Sequence, residues 1–386
     1  MKEQIWYGNA CARKEIFMLP IILSLAKKQA VLVISLAAAV VTMFFVPPDA
    51  SYIAYVDVRV LCLLFCLMAV VAGFQACGVF GLVTDKLLQK VTNGHLLGLL
   101  LVLLPFLISM LITNDVALLL FVPFTMGLLR QIGCTGKMIP VLVLQTVAAN
   151  LGSMATPFGN PQNLFLYAHY ELSVFDFFST VLPLTCISFA FLGAASLFVL
   201  PGKLSLISGS AVSRLQTKQF LGFGLLFLGS LCSVFRILDY RLMTVIVCIT
   251  ALLLNAKAVQ SVDYALLFTF VCFFIVSGNL GRIDSIRSFL GALLEKNTLL
   301  TSVATSQIIS NVPAAVLLSS FTEAWKPLLQ GVNIGGLGTP IASLASIITI
   351  KLYLAEDENK PLQFLGCFTV VNLLGLLILL LSTLLG

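Results

Sequence analysis

Charged residues are scarce in this chain of 386 residues, because Asp, Glu, Lys and Arg together make up 10% of it. A soluble domain needs a charged surface, so we expect none of any size. Two histidines and the lack of a Cys-x-x-Cys pair leave few ligands for a metal or redox centre. We find no His-Glu-x-x-His, Gly-x-Ser-x-Gly or Walker lysine motif. The sequence therefore predicts no enzyme, no catalytic residue and no cofactor.

Apolar residues dominate instead, at 60% of the chain with a mean hydropathy of +1.08. Such a composition is typical of a polytopic membrane protein whose main partner is the lipid bilayer. The net charge of +6 lies almost wholly in short connections between apolar runs, where it orients helices. We therefore expect no binding of nucleic acid. The ten cysteines lie mostly in or beside apolar segments, where a thiol acts as a small hydrophobe.

The apolar runs predict nine membrane crossings, because about 20 apolar residues span the hydrocarbon core. Residues 1–29 are expected at the cytoplasmic interface, and 201–241 form a linker that carries one connecting helix. Stretches 78–90 and 283–296 have the pattern of surface helices. The predicted crossings are residues 30–46, 57–77, 138–167, 175–200, 220–235, 242–254, 263–278, 327–353 and 362–385.

Polar motifs interrupt four of the apolar segments. Residues 95–129 contain Thr113-Asn114-Asp115 near their middle, and 297–321 contain Ser310-Asn311; each reads as a re-entrant hairpin. The crossings 138–167 and 327–353 are each broken by a motif rich in Gly and Pro. Unpaired backbone groups cost several kcal/mol in hydrocarbon, so such breaks occur where protein or a water-filled cavity covers them. The interruptions therefore mark a site.

The interruptions come in matching pairs. Thr113-Asn114 aligns with Ser310-Asn311, and Asn150-Leu-Gly-Ser-Met-Ala-Thr-Pro157 aligns with Asn333-Ile-Gly-Gly-Leu-Gly-Thr-Pro340. Paired broken segments in two halves point to the binding site of a secondary transporter. We assign residues 30–200 to the first transmembrane repeat and 242–386 to the second. An odd number of crossings separates their starts, so the second repeat is predicted to be inverted.

Orientation follows from the positive charges, because Lys and Arg favour cytoplasmic loops. With the N-terminus in the cytoplasm, most of the 22 Lys and Arg residues lie inside. The two hairpins would then enter from opposite faces, with their tips near the midplane. The fold class is an all-α polytopic membrane protein of two inverted-topology repeats, each with a re-entrant hairpin and a discontinuous helix.

These hairpin tips and broken motifs resemble the ion transporter superfamily of secondary carriers. That superfamily includes citrate-transporter-like proteins, sodium symporters for divalent anions, an arsenite permease branch and a sodium/proton antiporter branch. The resemblance implies that Asn114 and Asn311 face the substrate. Sodium-coupled dicarboxylate members carry Ser-Asn-Thr at both tips, whereas this chain has Asp115 and Val312 at the third position. Val312 removes a hydroxyl, and Asp115 adds an ionisable carboxylate.

Half-helix N-termini attract anions, and the opposite ends expose carbonyls that suit a cation. Na⁺ or H⁺ is the expected coupling ion, and Na⁺ is expected at Asp115, Asn150 and Asn333. The substrate-binding candidates are Thr113, Asn114, Ser310, Asn311, Thr156, Pro157, Thr339 and Pro340. The ion-coupling candidates are Asp115, Asn150, Gly152, Ser153, Asn160, Asn163, Asn333 and Gly335.

Asp115 allows two interpretations. An acid at membrane depth is a functional hypothesis by default, so its charge could follow the binding of a proton or of sodium. The alternative is an N-terminal cap for the following helical arm, a position that favours Asp. Asp57 and Asp263 are interpreted as caps only.

The leading functional prediction is a secondary transporter that moves a small anion by alternating access. The substrate would be a di- or tricarboxylate such as citrate, or an inorganic anion, in symport with Na⁺ or H⁺. A Na⁺/H⁺ antiporter, favoured by Asp115, is the alternative, and an arsenite permease is a minor variant. An intramembrane enzyme or a channel is a third class. We expect a homodimer in the bacterial inner (plasma) membrane.

The predicted topology can be tested by cysteine accessibility on a cysteine-free background. Arg130→Cys follows the first hairpin and Lys296→Cys precedes the second, so impermeant thiol reagents should label them from opposite faces. Labelling of both from one face only would contradict the inverted repeat.

Overall fold

The structure is a computed structural model that describes residues 29–79, 93–202, 215–357 and 359–385. Within these ranges the regular secondary structure is helical, with short 3₁₀ turns at Thr135–Lys137 and Pro340–Ala342. The helices are α1 Ala30–Phe45, α2 Ser51–Tyr55, α3 Val58–Ala76, α4 Gly94–Ser109, α5 Asn114–Gln131, α6 Met138–Ser153, α7 Pro161–His169, α8 Val174–Leu197, α9 Thr217–Val234, α10 Tyr240–Gln260, α11 Tyr264–Gly281, α12 Asp284–Ile309, α13 Asn311–Ser319, α14 Trp325–Ile334, α15 Leu344–Leu354 and α16 Pro361–Leu385.

Six of the described helices are long and apolar enough to cross a membrane: α3, α8, α9, α10, α11 and α16. The chain is thus an all-α polytopic membrane protein, as the composition predicted. The other predicted crossings correspond to α1, which has 16 residues, and to two helices broken in their middle. Residues 1–28 of the predicted N-terminal interfacial segment, 80–90 of the predicted surface helix and 203–214 of the linker lie outside the described residues.

The helical breaks fall where the polar motifs predicted them. Helix α4 ends at Ser109 and α5 begins at Asn114, while α6 and α7 are separated by residues 154–160. In the second half, α12 gives way to α13 at Ser310, and α14 and α15 are separated by residues 335–343. On which side of a membrane each hairpin enters stays a prediction.

Helix α12 is bent at Asn297, which divides it into two segments. Asn297 has extended backbone angles, φ −165° and ψ 95°, inside the helix. Its side-chain oxygen accepts a hydrogen bond of 2.9 Å from the backbone N–H of Leu300, which caps the segment that follows. The largely exposed segment 284–296 is therefore distinct from the hairpin arm 298–309, as the sequence predicted.

Two aspartates cap helices at equivalent places in the two halves. Asp57 accepts from the backbone N–H of Val60 at 3.0 Å, and Asp263 accepts from that of Leu266 at 3.0 Å. Each therefore satisfies an orphan donor at the start of α3 or α11. Both assignments from the sequence are confirmed.

Pro105 lies inside α4 and has no N–H to bond the carbonyl of Leu101, one turn earlier. The side chain of Gln145, on α6, supplies the missing donor: its Nε2 lies 2.7 Å from that carbonyl and 2.7 Å from Oγ1 of Thr125 on α5. In hydrocarbon such a freed carbonyl needs a partner from a neighbouring helix. This contact fixes both arms of the first hairpin against the first broken helix.

The second arm of each hairpin packs against the broken helix of the other half. Helix α5 packs on α15, and α13 packs on α7. The far ends are tied as well, since Arg130 at the end of α5 forms an ion pair with Glu356 after α15. At the end of α7, the hydroxyl of Tyr170 donates to the carbonyl of Thr322 at 2.7 Å. The two halves therefore interlock around their breaks.

Candidate functional site

Four helices begin at one small pocket. Its wall is formed by the first residues of α5, α7, α13 and α15, with one side chain from α11. The pocket is partly open and has room for about one water molecule. It is lined by Asn114, Asp115, Pro161, Gln162, Leu266, Asn311, Val312, Ser343 and Leu344.

Each helix N-terminus carries a partial positive charge, because its first N–H groups lack partners within the helix. The four helices that start at the pocket have 18, 9, 9 and 11 residues, so each is long enough to present such an end. Their dipoles converge on the same small volume. Such an arrangement favours a negatively charged oxygen in the pocket.

The two tip asparagines both line the pocket and both are buried. The amide nitrogen of Asn114 donates to Oδ1 of Asn150 at 2.9 Å, and its oxygen accepts from the backbone N–H of Asp115 at 3.0 Å. Asn311 packs against the backbone of the second break, where a Cβ on Gly336 would lie 2.8 Å from its Nδ2. The structure thus brings together the two asparagines that the sequence alignment paired.

A side chain from each break also donates a hydrogen bond to the asparagine that precedes the break in the other half, Asn150 or Asn333. Ser343 donates to Oδ1 of Asn150 at 2.9 Å. Asn160 donates to Oδ1 of Asn333 at 3.3 Å. Ser343 occupies in the second half the position that Asn160 occupies in the first. The same contact is therefore made twice, once from the second half to the first and once from the first half to the second.

Asn163 and Ser153 extend this network below the pocket. Asn333 donates to Oδ1 of Asn163 at 2.7 Å, and Asn160 donates to Oγ of Ser153 at 3.2 Å. All of these side chains are buried. Buried amides need such partners, because an unpaired one costs about 1–3 kcal/mol. These residues therefore hold the two halves in register and do not line the pocket.

Thr156 and Thr339 make equivalent contacts in the two halves. The hydroxyl of Thr156 donates to the carbonyl of Met110 at 2.7 Å, and that of Thr339 donates to the carbonyl of Gln307 at 3.1 Å. Met110 and Gln307 are equivalent residues of the two hairpins. Both hydroxyls thus tie a hairpin to a break, away from the pocket. Pro157 and Pro340, predicted with them as substrate ligands, are likewise not in the pocket wall.

Two predicted ion-coupling glycines serve close packing. A Cβ on Gly152 would lie 2.1 Å from the carbonyl oxygen of Phe106, and one on Gly335 would lie 2.8 Å from Oγ of Ser306. Each glycine therefore lets a hairpin arm approach a broken helix. The backbone contact at Gly152 is the closer of the two.

Asp115 is in the first turn of α5, but it is not the cap of that helix. The N-cap is Thr113, and Asp115 makes no capping bond with its side chain. Its Oδ1 is buried without a hydrogen-bond partner in the part of the chain that the structure describes, and the residue lines the pocket. The capping interpretation is therefore wrong. The carboxylate of Asp263, at the start of α11, accepts a hydrogen bond from the backbone N–H of Leu266, another lining residue.

The second hairpin tip is strained where the first is not. Ser310 has φ 76° and ψ 154°, a conformation that costs about 1–3 kcal/mol for a residue with a Cβ. Its equivalent, Thr113, has an ordinary extended conformation at φ −68°. Ser310 is buried, and its hydroxyl donates to the carbonyl of Ala342 at 3.3 Å. Neither Thr113 nor Ser310 lines the pocket.

Of the nine lining residues, the candidates listed from the sequence include Asn114, Asp115 and Asn311, but not Pro161, Gln162, Leu266, Val312, Ser343 or Leu344. Ser343 could have been found by extending the alignment of the breaks from Asn150 and Asn333 to Asn160. Leu266 carries no signal, because it is an apolar residue in an apolar helix.

The expected sodium ligands are only partly assembled. Oδ1 of Asn150 already accepts two hydrogen bonds, and Oδ1 of Asn333 accepts one. Among the described residues, no cluster of three His, Cys, Asp or Glu side chains could hold a metal ion. A sodium site at Asp115, Asn150 and Asn333 stays a prediction.

Comparison with known proteins defines the class of this site. Residues 18–331 match the model of the citrate transporter family. That match covers most of the chain. The chain belongs to the citrate transporter family. The protein is therefore an integral membrane transporter, and the pocket formed by the four helix starts is its candidate transport site.

Individual relatives agree with this assignment. The uncharacterized transporter MJ0456 of Methanocaldococcus jannaschii is 31% identical over 328 residues, covering 82% of this chain and 86% of its own. The inner membrane protein YbiR of Escherichia coli is 31% identical over 331 residues, covering 82% and 85%. The silicon efflux transporter LSI3 of rice, Oryza sativa subsp. japonica, is 30% identical over 147 residues, covering 38% and 30%.

The packing role of Gly152 predicts a strong effect of one methyl group. Gly152→Ala should destabilise the protein by about 1–3 kcal/mol, because the new Cβ meets the fixed backbone of α4. Gly127→Ala is the matched control, since α5 has open space at that position, and it should be neutral or stabilising by up to about 1 kcal/mol. Thermal unfolding in detergent measures both. Equal effects of the two substitutions would contradict the close approach.

Proposed function

We propose that the protein is a secondary active transporter that moves a small anion, coupled to Na⁺ or H⁺, by alternating access. The convergence of four helix N-termini on one pocket is the observation that carries this proposal. Partial positive charge is supplied there by the backbone, so the anion needs no basic side chain. The tip amides of Asn114 and Asn311 add donors whose direction fixes its orientation.

The substrate class that fits best is an oxygen-rich anion, either a di- or tricarboxylate such as citrate or an inorganic anion. The name of the matching family supports the first group. The pocket has room for about one water molecule, which is less than a tricarboxylate occupies. In the proposed cycle the hairpin tips move apart to admit the substrate and close again on its carboxylate.

Asp115 is the proposed coupling group. Its carboxylate has an unpaired buried oxygen beside the pocket, so binding of a proton or a sodium ion would stabilise it. The same observation favours the second candidate function, a Na⁺/H⁺ antiporter. In that case Asp115 would exchange the two cations, and no anion would be carried.

Uptake by proteoliposomes under imposed gradients separates these functions. Labelled citrate, succinate, arsenite, phosphate and sulfate are each offered with an inward Na⁺ gradient, an inward H⁺ gradient or neither. The proposal predicts gradient-driven accumulation of at least one anion. Sodium-driven proton release with no anion accumulation would instead establish the antiporter.

Both tip asparagines should be needed for transport. Asn114→Ala or Asn311→Ala should lower kcat/KM about tenfold or more, because each removes a donor to a charged ligand. Asn372→Ala is the control, since among the described residues its buried amide donates to the Phe368 carbonyl, at 2.9 Å, within the same helix α16. The measurement is initial uptake of whichever anion is accumulated. Similar losses in all three variants would remove the tips from the site.

Asp115→Asn should uncouple transport while the protein stays folded. The amide has the size of the carboxylate but cannot exchange a proton or carry charge. We expect exchange of substrate between equal concentrations to survive, and accumulation against a gradient to be lost. Gradient-driven accumulation at the parent rate in this variant would exclude Asp115 as the coupling group.

A further inference from the structure

Three backbone carbonyls converge on one nitrogen atom beside the second break. Nε2 of Gln307 lies 2.9 Å from the oxygen of Gly335, 2.9 Å from that of Leu337 and 3.3 Å from that of Val303. Two of these oxygens belong to the non-helical segment after α14, and the third belongs to the hairpin arm of α12. The side chain therefore bridges hairpin and broken helix at their polar ends.

Such a group of oxygens has the character of a cation site. The last carbonyls of a helix lack intrahelical partners and carry the negative end of its dipole. Gly335 is the C-cap of α14, and Leu337 follows it by two residues. Carbonyl oxygens gathered around one point are ligands for a hard cation. Here the point is occupied by the amide of Gln307.

The amide is held firmly in this place. Its Oε1 accepts a hydrogen bond of 2.8 Å from the backbone N–H of Thr339, which fixes which end of the amide faces the carbonyls. Gly338 has φ +110°, and a Cβ there would lie 2.3 Å from the same oxygen. Only glycine at position 338 combines that backbone conformation with that approach.

We propose that the amide of Gln307 takes the place of a bound monovalent cation, so that the second half of the protein needs no ion at this point. Its role is positioning: it neutralises the carbonyl end of the break and leaves the N–H end of α15 directed at the pocket. Any coupling ion then binds elsewhere. For transport this inference rests on the proposed function, but the cation site itself can be tested without a substrate.

In the first half, a different residue donates to the carbonyls of the break. Met110 stands at the position equivalent to Gln307 and has no donor. There Nδ2 of Asn163 donates to the carbonyls of Met154 and Thr156 at 3.1 and 3.2 Å. Met154 is the equivalent of Leu337. Both breaks therefore have their carbonyls covered by a side-chain amide.

Gln307→Ala tests the proposal, because it removes the amide and leaves a space among three carbonyls. Thermal unfolding of the purified full-length variant is measured in NaCl and in N-methylglucamine chloride at equal ionic strength. We expect its Tm to fall in the sodium-free buffer and to recover by about 2 °C or more, saturably, as Na⁺ is added. The parent protein should show no such sodium dependence.

Two further variants make the result specific. Gln307→Met fills the space with an apolar chain, as in the first half, so its Tm should fall and stay low in Na⁺. Gln219→Ala is the matched control, since among the described residues its side-chain oxygen accepts hydrogen bonds from Cys77 and Asn255, at 3.9 and 3.4 Å. It should respond like the parent. Gln307→Ala that ignores Na⁺, or that is as stable as the parent without it, would overturn the proposal.

If Gln307→Ala does not fold in NaCl or in N-methylglucamine chloride, the variant Gln307→Asn tests the proposal instead. It keeps an amide but shortens the reach by one methylene, so its Tm should fall partly and recover in Na⁺. A partial loss that Na⁺ leaves unchanged would count against the proposal. Because no substrate is involved, failure here leaves the proposed anion transport untouched, and failure of the uptake assay leaves this test intact.

Discussion

The structure depends on one constraint: backbone groups freed by a helical break in an apolar environment must find partners. Four such breaks at polar motifs lie in the part of the chain that the structure describes, and the carbonyl and N–H ends of each have different partners. Carbonyls are covered by side-chain donors, among them the amides of Asn163 and Gln307. The N–H ends of α5, α7, α13 and α15 are instead gathered at one pocket. Polarity is therefore concentrated where a ligand can use it.

This division supports the proposal that the pocket binds an anion. The backbone supplies four positive ends, whereas the negative ends at the breaks are bonded by amides and by the hydroxyls of Thr156 and Thr339. Asp115 is the ionisable residue of the pocket wall, and its Oδ1 has no hydrogen-bond partner among the described residues. Bonds across the two breaks, such as that from Ser343 to Asn150, connect the two halves beside the pocket.

The breaks and the tip residues were predictable because Gly, Pro and Asn within an apolar run disfavour a continuous helix and so indicate where it is interrupted. The capping roles of Asp57 and Asp263 were predictable for the same local reason. Which residues bond across the halves was not, because Asn160 and Asn333 meet only after both breaks have folded. Thr156, Pro157, Thr339 and Pro340 were expected in the site for their motif, yet they lie beside it, since the threonine hydroxyls are bonded to the hairpins. The capping interpretation of Asp115 failed because the helix begins at Asn114, two residues before the predicted start at Val116, so that Thr113 is its N-cap.

The central claim is that the substrate anion binds where the four helices begin. A structure of the purified protein in lipid nanodiscs, determined with and without the anion that proteoliposomes accumulate, tests it most directly. The account predicts new density in contact with Asn114 and Asn311, between the first turns of α5, α7, α13 and α15. Density at another place, with this pocket unchanged between the two structures, would contradict it.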